Sequence, residues 1–181
     1  TTPERNLADA RAVHWASEFV ERQEGGKPWF VSLGIGKPHL DWNVPKKYFD
    51  MIDSSAITLP YNPPGDYDDV PAFCQQFLVW LHKMHEEVVS AGVWKDAIHA
   101  YLAAVAFADA QLGKFLDAMD RADAWDDTTL VVWSDHGYHL GDKAVWGKFT
   151  QWDQATNAPL LIVDADHGRP GRVVETPVSL M

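Results

Sequence analysis

The sequence predicts an α/β fold in which a mainly parallel sheet is flanked by helices. Three observations lead to this prediction: long segments with apolar residues at helical spacing, short runs that are almost continuously apolar, and the alternation of the two along 181 residues. With 46% hydrophobic residues, the chain has enough apolar material for one core, and it is too short for two ordinary domains. We therefore expect one layered unit or part of one.

Three segments carry apolar residues at helical spacing. Residues 6–24 form the first, and Gly25-Gly26 follows it as a helix end. Residues 73–89 form the second, and residues 97–123 form the third and longest. The apolar stripe expected on the longest helix consists of Tyr101, Val105, Ala108, Leu112, Phe115, Leu116 and Met119. We expect this helix to pack on one face of the sheet.

Three short apolar runs predict strands. Residues 29–34, 130–133 and 160–163 are almost continuously apolar, which is typical of strands buried on both faces of a parallel sheet. Residues 40–71 are rich in proline, aspartate and asparagine, so a long irregular loop is expected there. The order of these elements favours one mainly parallel sheet.

Charge and composition exclude several classes of partner. A formal net charge of -11 leaves no basic patch for a phosphate backbone, so no nucleic-acid partner is expected. No apolar run is long enough to span a membrane, so we expect a soluble chain and no membrane partner. The single cysteine, Cys74, excludes an internal disulfide. The compartment stays open, with the periplasm and secretion as candidates.

Polar residues follow two of the predicted strands. His39 comes after the first strand, and Asp135 and His136 come after the second. Ligands of open α/β sheets bind at the carboxyl ends of strands. A carboxylate beside an imidazole can ligate a divalent cation, and Lys148 adds a positive charge for an anionic group. The set suits metal-assisted attack on a sulfate or phosphate ester, while a turn cap at Asp135 and a loop histidine at His136 remain open.

An ordered set of motifs resembles the sulfatase family. Ser-Asp-His-Gly-Tyr-His-Leu-Gly-Asp at 134–142 is followed by Trp-Gly-Lys-Phe-Thr at 146–150 and Ala-Thr-Asn-Ala-Pro-Leu at 155–160. Gly-Lys-Pro-His-Leu at 36–40 and Pro-Lys-Lys-Tyr-Phe at 45–49 are similar to the iduronate-2-sulfatase-like branch. The resemblance implies an alkaline-phosphatase/sulfatase-like α/β fold, of which residues 1–181 would be a partial catalytic domain.

The resemblance also implies roles for four residues. Asp135 and His136 fall on the pair that completes the shell of a divalent metal, usually calcium. Lys148 falls on the lysine that contacts a sulfate oxygen. His39 falls on the histidine near the ester oxygen that helps the leaving group. No organic cofactor is implied.

The nucleophile that the resemblance implies has no match in these residues. In the family it is a cysteine, or sometimes a serine, in a Cys-x-Pro-Ser-Arg pattern that is oxidised to formylglycine and lies upstream with a pair of metal-binding aspartates. Cys74 is followed by Gln75 and Gln76 and fails the pattern. We therefore expect the N-terminal nucleophile segment to be absent and the chain alone to be inactive. Two ligands predict weak calcium binding or none.

The expected function is hydrolysis of a sulfate ester on a small molecule or a glycan. This chain would supply part of the site, and its partner would be the missing N-terminal portion of the same domain. A related phosphonate or phosphate ester hydrolase is an alternative, because the same fold and metal shell serve phosphoryl groups. A non-catalytic remnant that acts as a structural or interaction module is another alternative.

Other residues are expected to be structural. His82 and His85 lie at helical spacing without a third ligand, so a surface helix is expected and not a zinc site. Cys74 is expected to be a buried small hydrophobe. For His139, substrate contact and plain packing are equally open.

Overall fold

The structure, a computed structural model, describes residues 3–23, 27–164 and 171–179. Its contacts divide the chain into two compact units. The first comprises Thr1–Ile57 and Lys95–Asp127, and the second comprises Thr58–Trp94 and Thr128–Met181. The helix end predicted at Gly25-Gly26 lies outside the described residues.

Regular structure in the described residues comprises helices, short strands and 3-10 turns. The helices are α1 (Ala8–Glu21), α2 (Lys46–Asp50), α3 (Ala72–Ser90), α4 (Trp94–Arg121) and α5 (Asp153–Thr156). The strands are β1 (Leu130–Trp133), β2 (His139–Leu140), β3 (Trp146–Gly147) and β4 (Leu160–Val163), and the 3-10 turns are Glu4–Asn6, Ser54–Ala56 and Asp142–Ala144. The three predicted helices are therefore confirmed as α1, α3 and α4. Among the described residues, no helix has the length and apolar character needed to cross a membrane.

The first unit packs around α4. The rings of Tyr48 and Phe107 meet edge to face at 5.3 Å inside a buried cluster. Gln111 lies on the same buried face because its side-chain amide donates to Glu4 Oε1 at 3.1 Å, which satisfies the polar group. The buried stripe therefore includes Gln111, whereas Val105, a predicted member, is exposed.

The first predicted strand is wrong. Residues 29–34 form no strand, and no ladder among the described residues includes them. Phe30 is 90% exposed. The ring of Trp29 packs edge to face on Phe19 of α1 at 6.0 Å, so a side-chain contact holds this segment where the prediction expected backbone pairing.

The second unit combines α3 with the four strands. β2 and β3 form an antiparallel hairpin in which His139 lies opposite Gly147. α3 packs on this hairpin because its apolar face meets the buried start of β3. The buried cluster between them consists of Leu78, Leu81 and Val145, with Tyr67 and Trp152 packed at its edge.

The strands β1 and β4 pair antiparallel, with Leu130 opposite Val163 and Trp133 opposite Leu160. The predicted parallel arrangement is therefore wrong for these strands, although the α/β class is correct. Parallel neighbours need a long crossover, usually a helix, and the chain between β1 and β4 contains only the hairpin and the short α5. Burial on both faces is not found either, since all of β4 is exposed.

Two predictions about α3 are also wrong. Cys74 is exposed, because it lies a turn before Leu78, the first buried residue of the helix. His85 is buried, and its Nδ1 accepts a hydrogen bond from Trp146 Nε1 at 3.2 Å. Burial lowers the pKa of His85, which favours the neutral ring that this acceptor role requires.

Candidate active site

The loop after β1 carries the predicted metal pair. The strand ends at Trp133, and the next amide, Ser134 N, donates to Pro159 O at 3.1 Å. Ser134 Oγ then donates to His136 O at 2.8 Å. These contacts turn the chain out of the strand, so Asp135 and His136 no longer alternate between opposite faces. The predicted strand end before Asp135 is confirmed.

Gly137 fixes this loop against the backbone of α5. Its amide donates to Ala155 O at 2.8 Å. A Cβ at this position would lie 2.0 Å from Gln154 O, which is closer than a carbon and an oxygen that are not bonded can approach. Only glycine allows the loop to lie this close to α5, so the sequence His136-Gly137 determines where the imidazole is held.

Asp135 and His136 lie side by side. His136 Nε2 is 3.3 Å from Asp135 Oδ2, and the carboxylate is 79% exposed. His136 Nδ1 is 2.7 Å from Gly137 O. Because a carbonyl oxygen only accepts, Nδ1 carries the hydrogen. The Nε2 of the neutral ring is then left with its lone pair next to the carboxylate.

This donor pair fits a divalent cation. Cation ligands lie about 2.3–2.6 Å from calcium, so two donors 3.3 Å apart can both reach one ion. A main-chain carbonyl that holds Nδ1–H is the usual support of a histidine ligand. The pair does not select calcium, since calcium prefers oxygen and imidazole suits softer metals. Among the described residues, no group of three or more His, Cys, Asp or Glu side chains is placed to hold a metal.

Lys148 follows directly after β3. It is half-buried, and none of the hydrogen bonds and ion pairs found among the described residues involves it. Gly147, just before it, has a left-handed backbone with φ of 93°, which turns the chain out of the hairpin. A lysine that forms no ion pair within the described part of the chain can bind an anion through its ammonium group.

Sequence reasoning missed a hydrogen-bonded network whose members lie before and after Lys148 in the sequence. His139 is fully buried, and its Nδ1 is 2.6 Å from Asp142 Oδ2. Its Nε2 is 2.8 Å from Thr150 Oγ1. Asp142 Oδ1 also accepts from the amide of Leu140 at 3.0 Å. All three residues belong to the motifs at 134–142 and 146–150. Their spacing in the sequence does not show that they meet, because the contact forms across a hairpin.

Further contacts hold the hairpin in the second unit. Trp94 Nε1 donates to Leu140 O at 2.8 Å. Lys143 pairs with Asp66 at 3.1 Å and lies 5.1 Å above the ring of Trp152. Both contacts of Lys143 therefore support the hairpin.

His39 lies in the first unit, in the segment 36–42. The amides of Gly36 and Lys37 donate to the two carboxylate oxygens of Asp9 at 3.0 and 2.9 Å. Trp42 Nε1 donates to Pro38 O at 2.9 Å. The His39 side chain is exposed, and its Nδ1 donates to Leu40 O at 2.7 Å. Its Nε2 is therefore the ring nitrogen that this hydrogen bond leaves unused.

These features define an alkaline-phosphatase-like α/β chain. The fold matches a solved phosphonate monoester hydrolase, SpPMH from Silicibacter pomeroyi, with a TM-score of 0.78 and 25% identity. The match covers 97% of this chain and 36% of that protein.

The family follows from a family model and from relatives. The model described as Sulfatase matches residues 2–181, and the chain belongs to the sulfatase family. It is 34% identical over 176 residues to a sulfatase of Formosa agariphila, covering 97% of this chain and 34% of that protein. It is 27% identical over 188 residues to the iduronate 2-sulfatase of Homo sapiens, covering 97% and 33%. The chain thus spans about a third of the length of these relatives, and the resemblance predicted from its motifs is confirmed.

Proposed function

We propose that the protein carrying this chain hydrolyses sulfate esters with a divalent metal, and that this chain supplies part of the active site. The observation that carries the proposal is the adjacency of Asp135 Oδ2 and His136 Nε2, 3.3 Å apart at the end of a strand, in a chain of the sulfatase family. Sulfatases act on sulfate esters. The proposal concerns the whole protein, because the chain spans only about a third of its relatives.

Asp135 and His136 would hold the metal through Oδ2 and Nε2. Such a metal would supply positive charge that polarises a sulfuryl oxygen. The other ligands must come from outside this pair, since a divalent cation needs more than two. Metal binding needs the carboxylate form of Asp135 and the neutral form of the His136 ring.

Lys148 would bind a non-bridging oxygen of the sulfate. Its ammonium group makes no ion pair or hydrogen bond with the residues that the structure describes. It therefore does not have to break a salt bridge before it meets the anion. A fixed positive charge stabilises the extra negative charge of the transition state more than that of the ground state.

His39 would donate a proton to the departing ester oxygen. Its Nδ1 is held by the carbonyl of Leu40 at 2.7 Å, so the imidazolium form offers its other proton from the exposed Nε2. The in-line nucleophile is not supplied by any residue that we assign. Cys74 is exposed on α3 but fails the family's nucleophile pattern. In this proposal another segment of the protein provides the nucleophile, and the chain alone is inactive.

A phosphonate or phosphate ester is the second candidate substrate. The observation that favours it is the fold match to a phosphonate monoester hydrolase at a TM-score of 0.78. Tetrahedral sulfuryl and phosphoryl groups place similar demands on a metal and a lysine, so the groups assigned above do not separate the two.

The test compares an aryl sulfate with an aryl phosphonate monoester as substrates of the full-length protein. We expect the sulfate to be preferred, and Lys148→Ala to lower kcat/KM about 100-fold. The matched control is Lys83→Ala, since Lys83 is exposed on α3 and should leave kcat/KM unchanged. A preference for the phosphonate would favour the second candidate. No turnover of either ester by the metal-loaded protein would favour a non-catalytic role.

A further inference from the structure

His139 joins two side chains that lie on either side of Lys148 in the sequence. Its Nδ1 is 2.6 Å from Asp142 Oδ2 and its Nε2 is 2.8 Å from Thr150 Oγ1. The ring is fully buried, so water does not compete for these contacts. The arrangement forms one continuous line from carboxylate to imidazole to hydroxyl.

The direction of the hydrogens follows from the carboxylate. Burial raises the pKa of Asp142, but hydrogen bonds from His139 and from the Leu140 amide outweigh it and leave the pKa below its usual value. An ionised carboxylate only accepts, so Nδ1 carries a hydrogen. In the neutral ring, Nε2 then accepts from the hydroxyl of Thr150. Each polar atom of the buried ring is satisfied by one partner.

The pairing of β2 with β3 relates the hydrogen bonds of His139 to the position of Lys148. His139 lies opposite Gly147 in the β2–β3 ladder, and its ring reaches Thr150 three residues later. His139 therefore contacts both ends of the segment from Gly147 to Thr150, by strand pairing at Gly147 and by a hydrogen bond at Thr150. Lys148 lies between these two contacts in the sequence.

The ladder alone is a weak restraint. Each strand has two residues, and an isolated hairpin is marginally stable. Gly147 has φ of 93°, and no atom lies within 4 Å of where its Cβ would be. Phe149 is 66% exposed, and its ring lies 5.5 Å from the ring of Trp80. Among the hydrogen bonds of the described residues, the one at the Thr150 hydroxyl holds the end of this segment.

We infer that His139 and Thr150 are positioning residues that hold Lys148 in place for the sulfate, with Asp142 orienting the imidazole. The inference rests on the proposed function, because it acts through Lys148. His139 is then a buried packing residue that does not contact the substrate and that fixes the position of Lys148.

The experiment is a double-mutant cycle in the full-length protein with an aryl sulfate. The variants are Thr150→Val, which keeps the shape and removes the hydroxyl, Thr150→Ser, which keeps the hydroxyl, Lys148→Ala, and the double variant Thr150→Val with Lys148→Ala. We expect Thr150→Val to lower kcat/KM about tenfold or more, as misplacement of a catalytic group does. Thr150→Ser should stay within about twofold of the parent, since it restores the hydrogen bond. In the Lys148→Ala background, Thr150→Val should change kcat/KM less than about twofold.

The outcomes are distinguishable. If Lys148→Ala lowers kcat/KM and Thr150→Val lowers it by the same factor in both backgrounds, the hydroxyl acts independently of Lys148 and the inference is overturned. If Lys148→Ala has no effect, the proposed function fails, and the inference fails with it. Amide exchange of Gly147 and Lys148 supplies a readout independent of turnover. It should speed up in Thr150→Val and not in Thr150→Ser, and equal exchange in the two would also overturn the inference.

If Thr150→Val does not fold, His139→Asn takes its place in the cycle. The shorter amide keeps a donor near the position of Nδ1 and cannot reach Thr150. The same criterion applies, since the loss of kcat/KM must vanish in the Lys148→Ala background.

Discussion

His39 and Lys148 both lie outside regular secondary structure, but different kinds of contact fix the two segments. The segment of His39 is held through its main chain, by amides that donate to Asp9 and a carbonyl that accepts from Trp42, while the imidazole stays exposed. The hairpin before Lys148 is held by buried side chains, above all His139.

Because of this difference, substitutions in the two segments should affect turnover and folding stability to different degrees. An exposed side chain with one local hydrogen bond can be replaced at little cost in folding energy, so a change at His39 should lower turnover with little change in stability. Changes inside the hairpin should alter stability and catalysis together, because the buried polar groups lose their partners. The four predictions that follow test this contrast in order of decreasing effect on stability.

The largest effect is expected at Gly141, the turn of the hairpin. It has φ of 100°, and a Cβ would lie 2.5 Å from Trp94 Nε1, the atom that donates to Leu140 O. Gly141→Ala should therefore lower the free energy of unfolding by about 3 kcal/mol, measured by urea titration. Gly147→Ala is the matched control, since φ is 93° there with open space around it, and backbone strain alone should cost about 1 kcal/mol. Equal losses would show that the indole contact does not constrain the turn.

The next effect is expected at Asp9, the support of the His39 segment. Asp9→Ala removes the acceptor of two amides and should lower the free energy of unfolding by about 1–2 kcal/mol. The amides of Gly36 and Lys37 should exchange faster, as followed by NMR. Asp109→Ala, an exposed aspartate of α4, should change neither quantity. Unchanged exchange in Asp9→Ala would mean that the carboxylate does not hold this segment.

The hairpin should also loosen in acid. Burial raises the pKa of Asp142, but hydrogen bonds from His139 and the Leu140 amide leave it below the usual 3.8. A carboxyl group with a lowered folded pKa stabilises the folded state above its unfolded pKa, and this contribution is lost as the pH falls through the folded pKa. Exchange of the Leu140 amide, corrected for its intrinsic rate, should therefore increase below about pH 4. Asp142→Asn should remove this dependence, and a parental profile that stays flat would contradict it.

The smallest effect on stability is expected at His39. His39→Ala should change the free energy of unfolding by less than about 0.5 kcal/mol. Turnover should nevertheless fall, and most for sulfate esters with poor leaving groups, because those depend most on a donated proton. The measurement is kcat across aryl and alkyl sulfates of increasing leaving-group pKa. A uniform loss across the series would exclude a role in protonating the leaving group.

Sequence reasoning succeeded where the information is local. The periodicity of residues 97–123 spans many turns, so α4 could be predicted to within three residues. Asp135 and His136 are adjacent in the chain, so their proximity needed only a strand end between Trp133 and Gly137.

Prediction failed where distant contacts decide the outcome. Whether β1 and β4 pair parallel or antiparallel depends on the path of the chain that connects them. The apolar pattern of the strands does not determine that path. Gln111 could be buried only because Glu4, far along the sequence, accepts from its amide. The network of His139 likewise joins residues across a hairpin.

The central claim is that this chain contributes a metal pair and a separate anion-binding lysine to one sulfatase site. The most direct test measures bound metal, by elemental mass spectrometry, together with turnover of an aryl sulfate, in full-length Asp135→Ala and Lys148→Ala. We predict that Asp135→Ala loses metal and turnover together, while Lys148→Ala keeps its metal and loses about 100-fold in kcat/KM. Full metal occupancy in Asp135→Ala, or parental turnover in Lys148→Ala, would contradict the account.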